Sequence, residues 1–410
     1  MEWKTEKLGD VCEIIKRGVG PKYLEEGGIC VINQKCIRDH IINYTLARRH
    51  NLEIKKVNEE RYVQIGDVLV NSTGTGTLGR VAQVRDIPIE PTTVDTHVTI
   101  VRPKKGLFHN DFFGYMLIKI EEEITSAGEG ASGQTELART KLENEFFVSY
   151  PASIPEQKRI VALLDTVFAD LEQTRAKTEQ NLKNARELFD SYLQQVFSQK
   201  AEGWVEASLK SITTKIGSGA TPRGGKAAYK TEGMSLIRSM NVHDRRFKDK
   251  DLALIDDEQA DKLSNVELQE NDVLLNITGA SVARCCVVPK EYLPARVNQH
   301  VSIIRVSDNT IKPELLCYLL TSKYYKDILL GIGEAGSTRQ AITKVQIENF
   351  EVSYPESFEN QDDFIKQLTV LETDILKLHD IYTKKLEALD ELKKSILQKA
   401  FSGELTTSVK

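Results

Sequence analysis

Along two stretches of this chain, apolar residues recur at alternating steps of about three and four. Ile160, Leu164, Val167, Leu171, Thr174, Thr178, Leu182, Ala185, Phe189, Tyr192 and Val196 form the first stripe. Phe364, Leu368, Leu371, Ile375, Leu378, Tyr382, Leu386, Leu389, Leu392, Ile396 and Ala400 form the second. A narrow stripe sustained over about six heptads predicts coiled-coil helices, because that period keeps one seam facing a partner. At 1.5 Å per residue, about 42 residues reach ~63 Å, longer than a compact domain is wide, so both helices read as spacers.

Between these stretches the pattern shortens. Runs such as "VAQV", "HVTIV", "CCVVP" and "HVSIIRV", broken by Gly, Asn and Thr, predict short strands. One amphipathic helix stands out in each block: Asn110 to Ile120 in the first, and Pro313 to Leu329 in the second, where Pro takes a favoured first-turn position. Each is followed by a Gly-rich loop, "SAGEGASGQT" or "GIGEAGSTRQ".

The blocks are copies of one another. "VSYP" at Val148 recurs at Val352, and the offset of about 204 residues holds along nearly the whole chain. "IGDVLVNSTG" (Ile65 to Gly74) answers to "ENDVLLNITG" (Glu270 to Gly279), and "THVTIVR" (Thr96 to Arg102) to "QHVSIIR" (Gln299 to Arg305). The fold expected is α/β. Two similar mixed α/β domains, residues 1–154 and 200–355, alternate with coiled-coil helices over 155–199 and 356–405. Only a few residues separate Ser198 from Trp204, too few for the chain to return to its starting end. The helices should therefore run antiparallel, with a pseudo-twofold axis between the copies and the termini meeting near the first domain.

Composition narrows the function. No apolar run approaches the ~20 residues of a membrane span, and "MEWKTEKLGD" lacks a signal-peptide pattern, so a cytoplasmic protein with no membrane partner is expected. The six cysteines form no CxxC pair and the histidines no cluster, so no metal site is expected. The net charge of -5 argues against indiscriminate nucleic-acid binding, but the acidic excess gathers on the last helical stretch. Basic clusters such as "KRGVGPK", "TPRGGK" and "DRRFKDK" remain in the α/β domains.

Catalytic motifs are weak. "GTGTLG" (Gly74 to Gly79) fits the dinucleotide pattern, yet its copy reads "GASVAR" and keeps only the first glycine. "GATPRGGK" misses the phosphate-loop spacing and lacks a hydroxyl after Lys226. No NPPY-type adenine methylation motif is present. His97 and His300 occupy equivalent strand positions without a repeated acid or nucleophile beside them, which favours a structural reading. No catalytic or cofactor-binding residue is assigned.

Two diverged heads on a bar suit a target with two unlike patches, and bipartite DNA is the obvious candidate. The order of head, "IPEQKRIVALLD" (Ile154 to Asp165), head with "GSTRQAITK" (Gly336 to Lys344), and "SILQKAFSGEL" (Ser395 to Leu405) resembles the specificity (S) subunits of type I restriction-modification enzymes over essentially the full length. The resemblance implies two target recognition domains, each reading half of a split site in double-stranded DNA, and helical spacers that bind two methyltransferase (M) subunits. It also implies S-adenosylmethionine on M for adenine N6 methylation, and ATP and Mg on restriction (R) subunits, with no cofactor on this chain. One departure is "ESFENQDDFIKQL", which lacks the "PEQ" opening of the first copy.

Base reading needs bidentate donors such as Arg, Gln and Asn, and phosphate contacts need Lys, Arg, Ser and Thr on loops. The loops after the amphipathic helices supply Ser132, Gln134, Thr135 and Arg139 in the first head, and Ser337, Thr338, Arg339 and Gln340 in the second. The loops near the start of each head add Arg17, Lys22, Thr221, Arg223 and Lys226. An enzyme acting alone and a purely structural adaptor are the competing classes, separable by turnover of the pure chain and by its DNA affinity in the presence of M.

Overall fold

The strands that read as unbroken apolar runs are the ones buried on both faces. The computed structural model describes residues 2–87, 91–130, 135–198, 202–222, 224–334 and 341–406. In it, Val68–Asn71 lies inside an antiparallel sheet ordered Cys12–Arg17, Val98–Pro103, Val68–Asn71, Val81–Gln83. Val68 and Val70 face one core, shared with Phe112, Phe113 and Met116 of the helix Asn110–Lys119. Leu69, Val98 and Ile100 face a second core with Ile32 and Val94. Side chains alternate across a strand, so a strand between two cores has no face left for solvent. The second core is closed by a sheet ordered Thr92–Val94, Ile29–Ile32, Arg48–His50, Tyr23–Leu24.

The second head repeats this register. Its sheet runs Thr213–Ser218, Val301–Val306, Val273–Asn276, Cys285–Val287. Val301 pairs with Asn276 as Val98 pairs with Asn71. Val273 and Leu275 face the helical core while Leu274 and Ile303 face the other. A buried ion pair is duplicated too. Arg102 donates two 2.7 Å bonds to Asp67, and Arg305 does the same to Asp272.

Each head is rooted on a two-stranded ladder, Trp3–Lys7 with Phe147–Pro151 and Trp204–Ser208 with Glu351–Pro355. From the second strand of each ladder the chain enters a long helix, Ile154–Ser198 or Phe358–Phe401. The chain divides into two compact units, 1–178 with 384–410, and 179–383. In the first unit the helices are antiparallel: Glu172 meets Lys393 at 3.1 Å, Arg175 pairs with Asp390, and Arg159 donates to the Leu405 carbonyl at 3.1 Å. In the second they are antiparallel as well, with Arg186 against His379, and Trp204 packed between Phe197 and Phe364.

A buried glutamine joins head to helix in both copies. Gln157 accepts from the His109 N–H (2.8 Å) and donates to the Pro151 and Leu107 carbonyls (3.0 and 3.2 Å). Gln361 accepts from the Lys312 N–H (2.8 Å) and donates to the Pro355 and Thr310 carbonyls (2.9 and 3.0 Å). The missing "PEQ" is therefore a loss of Pro and Glu only, and the glutamine that makes the joint is kept.

Two expectations are corrected. The single helix over Pro313 to Leu329 is two, Pro313–Thr321 and Lys323–Glu334. Buried Ser322 is extended between them, and its hydroxyl donates to the Leu319 carbonyl at 2.6 Å, the local competition with the helix ladder to which serine is prone. The second coiled-coil stripe also departs from expectation at two positions: Leu378 and Leu392 are 37% and 47% exposed, and their neighbours His379 and Lys393 are half-buried instead. No helix among the described residues is long and apolar enough to cross a membrane.

Candidate nucleic-acid interface

In each head a loop, a strand turn and the root of the Gly-rich segment converge at one end of the central sheet. Gly18 permits the first of these contacts. A Cβ there would lie 1.9 Å from the Val94 carbonyl oxygen, so only glycine lets the 18–22 loop cross the 94–98 segment; Gly219 repeats this at 1.7 Å from Val297. Val19 then donates to the Val94 carbonyl at 2.9 Å, and the Lys22 N–H to His50 Nδ1 at 2.9 Å.

The turns at 95–97 and 298–300 are built alike. The His97 N–H donates to Asp95 Oδ1 (2.9 Å), and that of His300 to Asn298 Oδ1 (3.0 Å). Their carbonyls accept from the N–H groups of Ser72 and Ile277 at 2.8 and 3.0 Å. Each imidazole Nδ1 then meets a threonine hydroxyl, Thr73 at 2.6 Å and Thr278 at 2.5 Å. Thr73 pairs with Glu136, and Thr278 with Ala341, just beyond the two Gly-rich segments.

Beside His97 lies an open cleft of about 380 Å³, lined by Tyr23, Asn33, Gln34, Lys35, Leu46, Arg48, Asp95 and His97. The Arg48 guanidinium lies 3.3 Å over the Tyr23 ring, a cation–π contact. Burial pushes the Asp95 carboxyl above its ordinary value, against the His97 N–H, the His97 ring and Arg48, which pull it down. Burial and Asp95 raise the Tyr23 hydroxyl, with Arg48 opposing. The cleft offers amides, a guanidinium, an ammonium and an exposed aromatic, the groups that contact base edges and phosphates. Among the described residues no group of three or more metal-ligating side chains is found.

The structure distributes the sequence candidates unevenly. Thr221 joins this surface directly, its hydroxyl bonded to Gln299 Oε1. Thr135 does so through its carbonyl, which accepts from the Gly74 N–H at 3.2 Å, and exposed Lys22 lies on the loop itself. Arg17 is turned inward to Glu136 Oε1 (2.6 Å) and the Leu137 carbonyl (2.7 Å), so it anchors the root of the Gly-rich segment. Arg139 opens the helix Arg139–Asn144 and lies 3.5 Å from Glu143. Lys226 falls in the turn Gly225–Ala228. Ser132, Gln134, Arg223, Ser337, Thr338, Arg339 and Gln340 lie outside the described residues. Sequence reasoning passed over Gln34, Lys35 and Gln299, and saw Arg48 only as part of the basic cluster "ARR" (Ala47 to Arg49); the repeated histidine in "THVTIVR" and "QHVSIIR" marked the place but was read as structural.

The fold and this surface define a class: a duplicated α/β head carried on antiparallel helices, with polar groups exposed at the sheet end. The chain belongs to the family of type I restriction modification DNA specificity domains, whose model matches residues 1–182 and 201–388. It is 21% identical over 434 residues to the type I restriction enzyme StySPI specificity subunit of Salmonella potsdam, spanning 98% of this chain and 89% of that one. The EcoBI specificity subunit of Escherichia coli is 22% identical over 342 residues, 77% and 70% of the two chains. Two solved structures share the fold at 18% identity. One, a chain from work on complex assembly and conformational transition of the type I R-M system, has a TM-score of 0.76 and covers 97% of both chains. The other, the HsdS subunit from Thermoanaerobacter tengcongensis, has a TM-score of 0.60 and covers 98% of this chain and 97% of that one.

Proposed function

We propose that this type I restriction-modification specificity subunit reads a bipartite, asymmetric DNA site, one half with each head, and positions two M subunits for adenine N6 methylation and R subunits for cleavage. One observation carries the reading. The two heads keep the same backbone register, Val98 on Asn71 and Val301 on Asn276, yet present different reading groups. Gln34, Lys35 and Thr96 of the first head are replaced by Ser239, Met240 and Gln299 in the second. Matched frames with unlike reading groups suit two half-sites of unlike sequence.

Catalysis in this reading belongs to the partners. M holds S-adenosylmethionine, R holds ATP and Mg, and this chain holds neither and acts in the cytoplasm as a DNA-binding scaffold. The test is to co-express the chain with its M subunits and map modified adenines genome-wide. Methylation should appear at one split sequence with two unlike halves and vanish when the chain is deleted. A continuous or palindromic modified sequence, or methyl transfer by the purified chain alone, would overturn the reading.

A further inference from the structure

The second head contains a hydrogen-bonded chain that fixes one exposed amide. The Thr221 hydroxyl bonds Gln299 Oε1, Gln299 Nε2 lies 3.1 Å from His300 Nε2, and His300 Nδ1 lies 2.5 Å from Thr278 Oγ1. The chemistry of the groups sets the direction of every bond. A carbonyl oxygen only accepts, so Thr221 donates. An amide nitrogen only donates, so His300 Nε2 accepts; its proton is then on Nδ1, which donates to Thr278. These four side chains come from three segments, Thr221, Thr278 and the 299–300 turn, and the segment holding Thr278 pairs with Ala341.

An amide has two donor hydrogens and two acceptor sites. In Gln299 one of each is used by His300 and Thr221, and one of each is left without a partner among the described residues, on an exposed side chain. One free donor and one free acceptor on a single amide are the groups that complement the adenine major-groove edge, where N7 accepts and N6 donates. Held from both ends, the amide loses little rotamer freedom on binding. The first head has Thr96 at this position, a side chain with no amide to hold.

We propose that Gln299 is a specificity-determining residue with which the second head reads an adenine, and that Thr221, His300 and Thr278 are positioning residues that orient its amide. This rests on the reading of the chain as a two-headed DNA reader. The test uses the chain co-assembled with its M subunits and maps the methylated sequence for each variant. In Gln299→Ala one adenine requirement in one half-site is lost, with discrimination there falling roughly 5- to 150-fold, and the other half is unchanged. Gln299→Glu, an acceptor only, shifts that position toward cytosine, whose N4 donates. His300→Leu relaxes the same position, and His300→Gln, which keeps an acceptor toward the Gln299 amide, restores it.

An adenine requirement untouched by both Gln299 variants overturns the inference while leaving the two-headed reading intact. So does an equal loss of methylation at every sequence, which would make Gln299 a backbone or assembly contact. If the parent chain gives no split methylated site, the underlying reading falls instead.

Discussion

Replacing Gln361 with leucine tests whether the buried glutamine is the joint between head and helix. The side chain is fully buried and serves three main-chain groups, the Lys312 N–H and the Thr310 and Pro355 carbonyls. Leucine fills a similar volume but leaves those groups without this partner, at about 1–3 kcal/mol for each that water does not reach. Burying the apolar side chain returns about 1.5–3 kcal/mol. Taken at the middle of these ranges, three stranded groups outweigh the gain by about 4 kcal/mol. For a unit of about 205 residues, each kcal/mol lowers the midpoint by about 2–4 °C, so a fall of roughly 8–16 °C is expected. Calorimetry of the full chain would read it, since Gln361→Leu should weaken the transition of the 179–383 unit and Gln157→Leu that of the other. A midpoint within about 1 °C of the parent for either variant would refute the joint.

The seam makes a sharper contrast between neighbours. Ile375→Asp places an unpaired charge at a position 9% exposed and should cost at least about 3 kcal/mol, whereas Leu378→Asp, 37% exposed, should stay within about 1 kcal/mol; equal losses in urea titrations would place the seam elsewhere. Gly219→Ala drives a Cβ to within 1.7 Å of the Val297 oxygen and should destabilise by about 1–3 kcal/mol, with faster hydrogen exchange at the bond from the Gly219 N–H to the Asn298 carbonyl; unchanged protection there would contradict it. Asp95→Asn tests the buried carboxyl. Because burial raises its folded-state pKa, the contribution of Asp95 is fully present below the unfolded value of about 3.9 and is lost as pH rises through the folded one. Asparagine, present at the matching position as Asn298, should therefore stabilise the chain at pH 7, with the gain shrinking as pH falls toward 4; a destabilised variant at pH 7 would refute the sign.

Features written in the order of residues were legible in the sequence. The strand runs of Val68–Asn71 and Val273–Asn276 and the long helices follow from short apolar runs and heptad spacing, and the repeat from self-similarity at an offset of about 204 residues. What escaped depends on contacts that spacing does not carry. The helix break at Ser322 comes from one hydroxyl capping its own backbone, and the departure at His379 and Lys393 from partners on the other helix, Arg186 and Glu172. Gln361 was hidden because the Pro and Glu that flag Gln157 are gone, although the backbone groups it serves are the same. The candidate surface was legible only in part. Thr221 was named, but Gln299 is 78 residues away in the chain and becomes its neighbour only after the central sheet forms.

The two-stranded roots have an evolutionary consequence. Each head leaves its ladder at Lys7 or Ser208 and returns at Phe147 or Glu351, directly opposite, so everything between departs and comes back through one doorway. The ladder bonds across that doorway are main-chain bonds, largely indifferent to which side chains sit on them, and the side-chain pairs that cross the first one, Thr5 with Ser149 and Glu6 with Tyr150, lie within the two strands themselves. Two genetic crossovers within these short strands would exchange an entire reader and leave the ladder closed and the helices as they were. A lineage carrying such a gene can acquire a new target by inheriting a block from a neighbour, without passing through the half-changed intermediates that stepwise substitution requires.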